Sequence, residues 1–232
     1  MKQMDCYLKK HATEKYIEIY NSGSFLDDKQ ISPESRVAIF ARLAKERIKG
    51  ITIESRPEFI SKEKIQPLTN KFKGELTVAI GLEVADDSTL KMLNKGFNLK
   101  DVEKAYSVLD GLGIFSRVYI LVGTPFVQDP QTAALDSVIY AKRIGFTEIC
   151  MLGAYPMKKT EGYRLWEKGE WLPLKQNEFN EIIRLAQEIE SDIVHSSKGL
   201  ERFWREGGMN RKLRLWKDSN PTPPWEFRRS NI

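Results

Sequence analysis

The chain has 232 residues, 41% hydrophobic and 30% charged, which suits one large globular domain or a domain with an appendage. No apolar run approaches the roughly 20 residues of a membrane helix, and the opening "MKQMDCYLKKHATEK" has no apolar core of the secretory kind, so a cytoplasmic protein without a membrane partner is expected. Two cysteines, Cys6 and Cys150, exclude a disulfide framework and a structural zinc site, and the net charge of +5 resides in residues 196–232, with nine Lys/Arg against four Asp/Glu.

Strand patterns fall at 16–20, 50–54, 76–83, 117–122 and 148–152, with a sixth edge element at 192–195. Cys150 sits in one of them, "EICMLG", as a buried strand residue. Helical patterns separate the strands. Ser32 caps a helix over 33–48 with proline at its first position. Ser61 opens a shorter helix, Asp86 precedes "DSTLKMLN", and "LKDVEKAYSVLDGLG" ends at glycines. Asp129-Pro130 opens the next, closed by Gly145, and "LKQNEFNEIIRLAQEIE" is strongly amphipathic. This alternation predicts an α/β fold with a parallel sheet. A closed (β/α)8 barrel takes roughly 250 residues. The expectation is therefore a partial TIM-like barrel of five to six parallel strands over 1–195, with a basic, aromatic-rich extension over 196–232.

The strand ends carry the polar residues. "YIEIYNSGSFLDD" leaves the first strand through a small, glycine-bearing turn. "ITIESRP" ends in Glu54 and Arg56, "AIGLEVADD" holds Gly81 and Glu83, "VYILVGTPF" holds Tyr119 and Gly123, and "CMLGAYP" holds Gly153 and Tyr155. Carboxyl ends of parallel strands are where α/β folds hold ligands. Any one glycine is accounted for by a tight turn. Their recurrence with Glu54 and Glu83 marks a candidate ligand site, and the alternative for both acids is an ion pair with Arg56 or a lysine.

The first four of those stretches, the third extended through "GLEVADDSTLKMLNKGFNLKDVEKA", resemble the radical S-adenosylmethionine (SAM) superfamily, in particular its archaeosine-biosynthesis and elongator branches. The resemblance runs from about residue 16 to 174. It implies a SAM site in which Ser22, Gly23 and Ser24 hold the methionine amino group. The turn departs from the usual Gly-Gly-Glu, so backbone carbonyls would make that contact. It implies Glu54 at the methionine or ribose, Glu83 beside the ribose, Lys95 toward the SAM carboxylate, and the strand of Tyr119 and Gly123 against adenine and ribose. The superfamily also implies a [4Fe-4S] cluster held by a CxxxCxxC loop. That motif is absent from this sequence, where Cys6 stands alone, so no metal ligands are assigned. With "MKQMDCYLKKH" read as the helix before the second core strand, the first strand and the cluster loop are expected to be missing, supplied by a longer gene or a separate polypeptide.

The same branch implies a tRNA substrate and a partner subunit that modifies tRNA guanine. In "YPMKKTEGYRLWEKGEWLPL" the groups facing RNA would be Lys158, Lys159, Arg164 and Trp166. In the extension they would be Arg211, Lys212, Arg214 and Trp216, where bases for phosphate alternate with rings for stacking. The alternatives are tryptophans packed on the barrel, a catalytically silent RNA- or protein-binding scaffold, and an unrelated phosphate-binding α/β protein.

Overall fold

The computed structural model describes residues 2–11, 13–21 and 23–205, with residues 2 and 3 by backbone alone. In chain order the elements are α1 (Lys2–Lys10), β1 (Tyr16–Ile19), α2 (Pro33–Leu43), β2 (Gly50–Glu54), α3 (Lys62–Lys71), β3 (Glu75–Glu83), α4 (Asp87–Met92) and α5 (Leu99–Gly111). They continue with β4 (Phe115–Val122), α6 (Pro130–Ile144), β5 (Glu148–Gly153), α7 (Glu161–Lys168), α8 (Gln176–Ile189), β6 (Val194–Ser196) and α9 (Lys198–Arg205). The strands form one parallel sheet in the order β1-β2-β3-β4-β5-β6, the partial (β/α) barrel expected. Among the described residues no helix is long and apolar enough to cross a membrane.

Local chemistry sets the boundaries. Ser32 caps α2 by accepting from the Ser35 amide, and Asp86, Asp129 and Thr160 cap α4, α6 and α7 in the same way. Two expectations need correcting. The helix over 33–48 stops at Leu43, because 44–47 turn away to bring residues 48–49 to the entry of β2. The stretch after β5, read as RNA-facing groups or a loop, folds into α7, and its Trp166 is buried against Tyr163 and Phe203, at ring distances of 5.3 and 5.6 Å. Trp166 is therefore a packing residue.

The chain divides into two compact units. The first comprises Met1–Gly81, Leu99–Val118 and Phe146–Glu148. In it α2 packs on α3, and Phe25, Phe40 and Phe72 meet at 6.0 and 6.2 Å between ring centres. Its sheet is strongly curved. Arg117 on β4 donates to Glu18 on β1 at 2.5 Å and to Glu148 on β5 at 2.9 Å. Strands lie about 4.8 Å apart, so a flat sheet would put β1 and β4 about 14 Å apart, too far for that pair. Thr52 and Thr77, in register with Glu18 on β2 and β3, are short enough for the bridge to pass over them.

The second unit comprises Leu82–Asn98, Tyr119–Gly145 and Ile149–Ile232. Here α6 packs on α8, and Phe179 of α8 is fully buried. Helix α9 docks through Leu200, which is fully buried and lies over Gly153. Trp204 donates its indole N–H to the Leu174 carbonyl at 2.8 Å and meets the Phe203 ring at 5.5 Å, so both aromatics are packed.

Candidate functional site

In the first unit the exits of β1 and β2 are tied together by the chain that leaves β1. The Phe25 amide donates to the Glu54 carbonyl at 2.8 Å, and the Arg56 amide donates to the Ser24 hydroxyl at 3.1 Å. Ser24 is fully buried, so this hydroxyl positions the backbone and is not presented to a ligand. Gly23 makes room for a side chain: a Cβ there would displace the amide of Gln30. The Gln30 oxygen accepts from the Ser24 amide at 3.2 Å and the Asn21 side chain at 3.1 Å, and its nitrogen donates to Asp27. One polar atom of the turn is left over. The side-chain oxygen of Asn21 is buried with no hydrogen-bond partner among the described residues. Ser22 lies outside the described residues.

Arg36 holds the rest of this loop. It is 2% exposed and donates to the Ile31 carbonyl at 2.9 Å and to Asp28 at 2.5 Å, while Lys64 reaches the other Asp28 oxygen at 3.3 Å. Hydrogen bonding from Arg36 holds the Asp28 carboxyl below its ordinary value of 3.8. Glu54, where the sequence left open an ion pair with Arg56, lies at the end of β2, and Arg56 pairs with Glu58 at 2.5 Å.

In the second unit the exit of β3 is strained. Glu83 has φ of +68°, and the Val84 amide donates back to the Leu82 carbonyl at 2.9 Å, a γ-turn of the rarer hand centred on a non-glycine residue. Its carboxylate accepts from Lys95 Nζ at 2.8 Å, both side chains being 22% exposed. Lys95 is placed by a left-handed cap: Asn94 has φ of +54°, and the Lys95 amide returns to the Leu90 carbonyl at 3.0 Å. The ammonium also lies 5.4 Å from the Phe97 ring centre. Thus the structure joins two residues that the sequence assigned separately, and of the two options left for Glu83 it displays the lysine pair.

A shallow cleft in this unit is lined by Glu83, Ile120, Gly123, Thr124, Val127 and Pro130. Thr124 is 3% exposed, and its hydroxyl oxygen is buried without a hydrogen-bond partner among the described residues. Gly123 has φ of +77°, a Cβ on it would lie 2.8 Å from Leu174, and its carbonyl accepts from the Trp171 indole at 3.1 Å. Gly123 therefore seats the segment after α7 as well as lining the cleft. Tyr119 is half-buried on β4. Sequence reasoning missed Gln30, Arg36 and Thr124. Thr124 alone left a signal, as a polar residue directly after a strand-end glycine.

Of the residues expected to face RNA, Lys158 and Lys159 are exposed in the turn before α7, Lys159 with φ of +69°. Arg164 is held by Glu161 across one helical turn. Arg211, Lys212, Arg214 and Trp216 lie outside the described residues.

No protein-family model matches the chain. It is 28% identical over 211 residues to archaeosine synthase subunit beta of Methanosarcina acetivorans, covering 86% of this chain and 59% of that protein. It is 33% identical over 163 residues to the protein of the same name from Thermococcus kodakarensis, covering 68% and 50%. A tRNA uridine(34) acetyltransferase of Methanocaldococcus infernus is 25% identical, over 67% of this chain and 29% of its own length. The fold matches that of the archaeal Methanocaldococcus infernus Elp3 with a TM-score of 0.67 at 17% identity, over 84% of this chain and 50% of that one. It also matches the radical S-adenosylmethionine methyltransferase TsrM of Kitasatospora setae, solved with cobalamin and a [4Fe-4S] cluster, with a TM-score of 0.54 at 16% identity over 72% and 31%. The chain thus resembles radical SAM enzymes in fold and the archaeosine synthase beta subunits in sequence. It spans between half and three-fifths of the length of the two archaeosine synthase subunits.

The two implied cofactors fare differently against the residues present. In the second unit the buried Thr124 hydroxyl, without a partner among the described residues, suits a hydroxyl group of SAM; in the first, taken by itself, the buried Asn21 oxygen suits an amino group. The cluster does not fit. Cys6 is exposed on α1, Cys150 is buried in β5, and no group of His, Cys, Asp and Glu among the described residues is disposed to hold a metal ion.

Proposed function

We propose that this chain is the SAM- and tRNA-binding part of a radical SAM tRNA-modifying protein of the archaeosine type, in the cytoplasm, working beside a subunit that modifies tRNA guanine. The observation that carries the reading is Glu83, a non-glycine residue held in a γ-turn at the mouth of a strand, with its carboxylate locked by Lys95. Strain of this kind costs of order 1–3 kcal/mol and persists where a site uses it. Taken by itself, the first unit offers the Asn21 oxygen and the Glu54 carboxylate to an amine and a hydroxyl. In the second, Lys95 would meet the methionine carboxylate, with Glu83, Tyr119, Gly123 and Thr124 at the nucleoside. When bound and reduced, SAM supplies a 5′-deoxyadenosyl radical. The chain's own residues bind and orient it, and Gln30, Ser24 and Arg36 keep the turn in shape. The reduction needs three closely spaced thiolates that these 232 residues do not contain, so we propose that the chain alone does not carry out the radical step.

The Glu83–Lys95 pair, already satisfied within the chain, favours a second reading, a silent scaffold that binds RNA. Anaerobic reconstitution with iron and sulfide is expected to leave the chain without a stoichiometric four-iron cluster, and labelled tRNA is expected to bind it. A full cluster would overturn the division of labour. Failure to bind tRNA at low salt would overturn both readings.

A further inference from the structure

We propose that the first unit carries an RNA phosphate-docking surface at the amino-terminal edge of its sheet, away from the strand exits described above; this rests on the tRNA reading and names where the RNA lies. Three connections enter β1, β2 and β3 side by side. The Lys15 carbonyl accepts from the Lys49 and Gly50 amides at 2.6 and 3.2 Å, and the Lys49 carbonyl accepts from the Glu75 amide at 2.8 Å. The backbones of Lys15, Lys49 and the 73–74 stretch are thus neighbours, at the roughly 4.8 Å spacing of adjacent strands.

Each connection is basic. The first has Lys9 and Lys10 at the end of α1 and Lys15 directly before β1. The second has Lys45, Arg47 and Lys49, the third Lys71 and Lys73, and all eight are exposed. Among the described residues none has an ion-pair partner. The acids of the same stretches are few: Glu14, Glu46 and Glu75, of which Glu46 is held by Arg42. Residues 1–195 balance to neutral, so this concentration of cations is local. Unpaired cations close together repel one another, and a polyanion relieves that repulsion while releasing its own counterions. Flexible lysines, rather than planar arginine forks, suit backbone phosphate read as point charge rather than as sequence. β2 is five residues long, so about 15 Å separates this surface from the Asn21 turn.

The competing explanation is that the lysines offset the negative carboxyl ends of α1, α2 and α3, which close on this edge. Lys15, Lys49 and Lys73 lie beyond those helices, so the triple variant Lys15→Gln/Lys49→Gln/Lys73→Gln separates the two. The control, Lys91→Gln/Lys100→Gln/Lys104→Gln, removes the same charge from α4 and α5. Binding of fluorescein-labelled tRNA is followed by anisotropy across a potassium chloride series, with a thermal melt of each protein. The first triple is expected to flatten the slope of log K against log salt by about two to three units with an unchanged melt, and the control by less than one. In the wild-type chain, tRNA should also protect Lys15, Lys49 and Lys73 from acetylation, a readout that needs no variant to fold. Wild-type binding with an unchanged slope and no protection refutes this surface and leaves the tRNA reading standing. Equal flattening by both triples reduces the effect to net charge and also refutes it. A wild-type chain that binds no tRNA refutes both.

Discussion

The turn leaving β1 and the exit of β3 are built on opposite plans. The first is closed at the turn by neutral groups, a buried serine, a glutamine amide seated on a glycine, and backbone-to-backbone bonds, with charged anchors, Arg36 and Lys64, behind it. The second is closed by charge and strain, with Glu83 in a left-handed conformation and Lys95 brought to it by a left-handed cap. Neutral closure holds a backbone shape that a ligand reads through the turn itself. Charged closure leaves both partners partly open to solvent, where a charged ligand can compete for either one. The difference assigns stability to the first region and ligand response to the second.

The largest effect expected is at Arg36. Replacing it with methionine keeps the stem but strands the Phe25 and Ile31 carbonyls and frees Asp28, a loss of about 3 kcal/mol seen as a lower midpoint in urea. Wild-type stability in the variant would break the claim that this loop is held from behind. Next is Gly123→Ala, which adds a Cβ at 2.8 Å from Leu174 in a left-handed residue and should cost about 2 kcal/mol.

Smaller and of opposite sign is Glu83→Gly. It loses the ion pair but relieves the turn, so it should melt at least as high as Glu83→Ala, by up to about 1 kcal/mol. A lower melt for the glycine variant would show that the turn is not strained. Thr124→Val should be neutral or slightly stabilising, within about 0.5 kcal/mol, because the hydroxyl it removes has no partner among the described residues. The acid limb gives a further contrast. Asp28 and Asp86 are held below 3.8, Asp28 by Arg36 and Asp86 by Ser88 and Thr89. Folded values below the unfolded one mean stability that is present above about pH 4 and lost as pH falls through the folded values. In acid titrations of the melt, Asp86→Asn should lessen that loss, and Arg36→Met should reduce the part belonging to Asp28, of which Lys64 keeps a share.

Much of the fold was legible because strand and helix periods alternate cleanly and the caps are of standard chemistry: Ser32, Asp86, Asp129 and the glycine at 145 fell where expected. The helix ending at Leu43 was overrun because "AKERIKG" keeps helical composition while its backbone turns toward β2. α7 was missed although Thr160 caps it and Gly169 ends it, because its eight residues are short and its buried Trp166 packs on Phe203, a contact between distant parts of the chain. At the sites, positions were readable and partners were not. Glycines and acids at strand ends stand out in sequence, but that Lys95 would close on Glu83, or that Gln30 would fill the space over Gly23, depends on how loops fold back.

SAM is proposed to bind at the exit of β3 beside Gly123 and Thr124, weakly without a cluster to chelate its methionine end, and saturation-transfer NMR of SAM with the purified chain is the decisive measurement. Transfer to the ligand is expected with a Kd near millimolar, about −4 kcal/mol, diminished in Thr124→Val although that variant melts normally. No transfer at millimolar SAM, or transfer indifferent to Thr124, would contradict it.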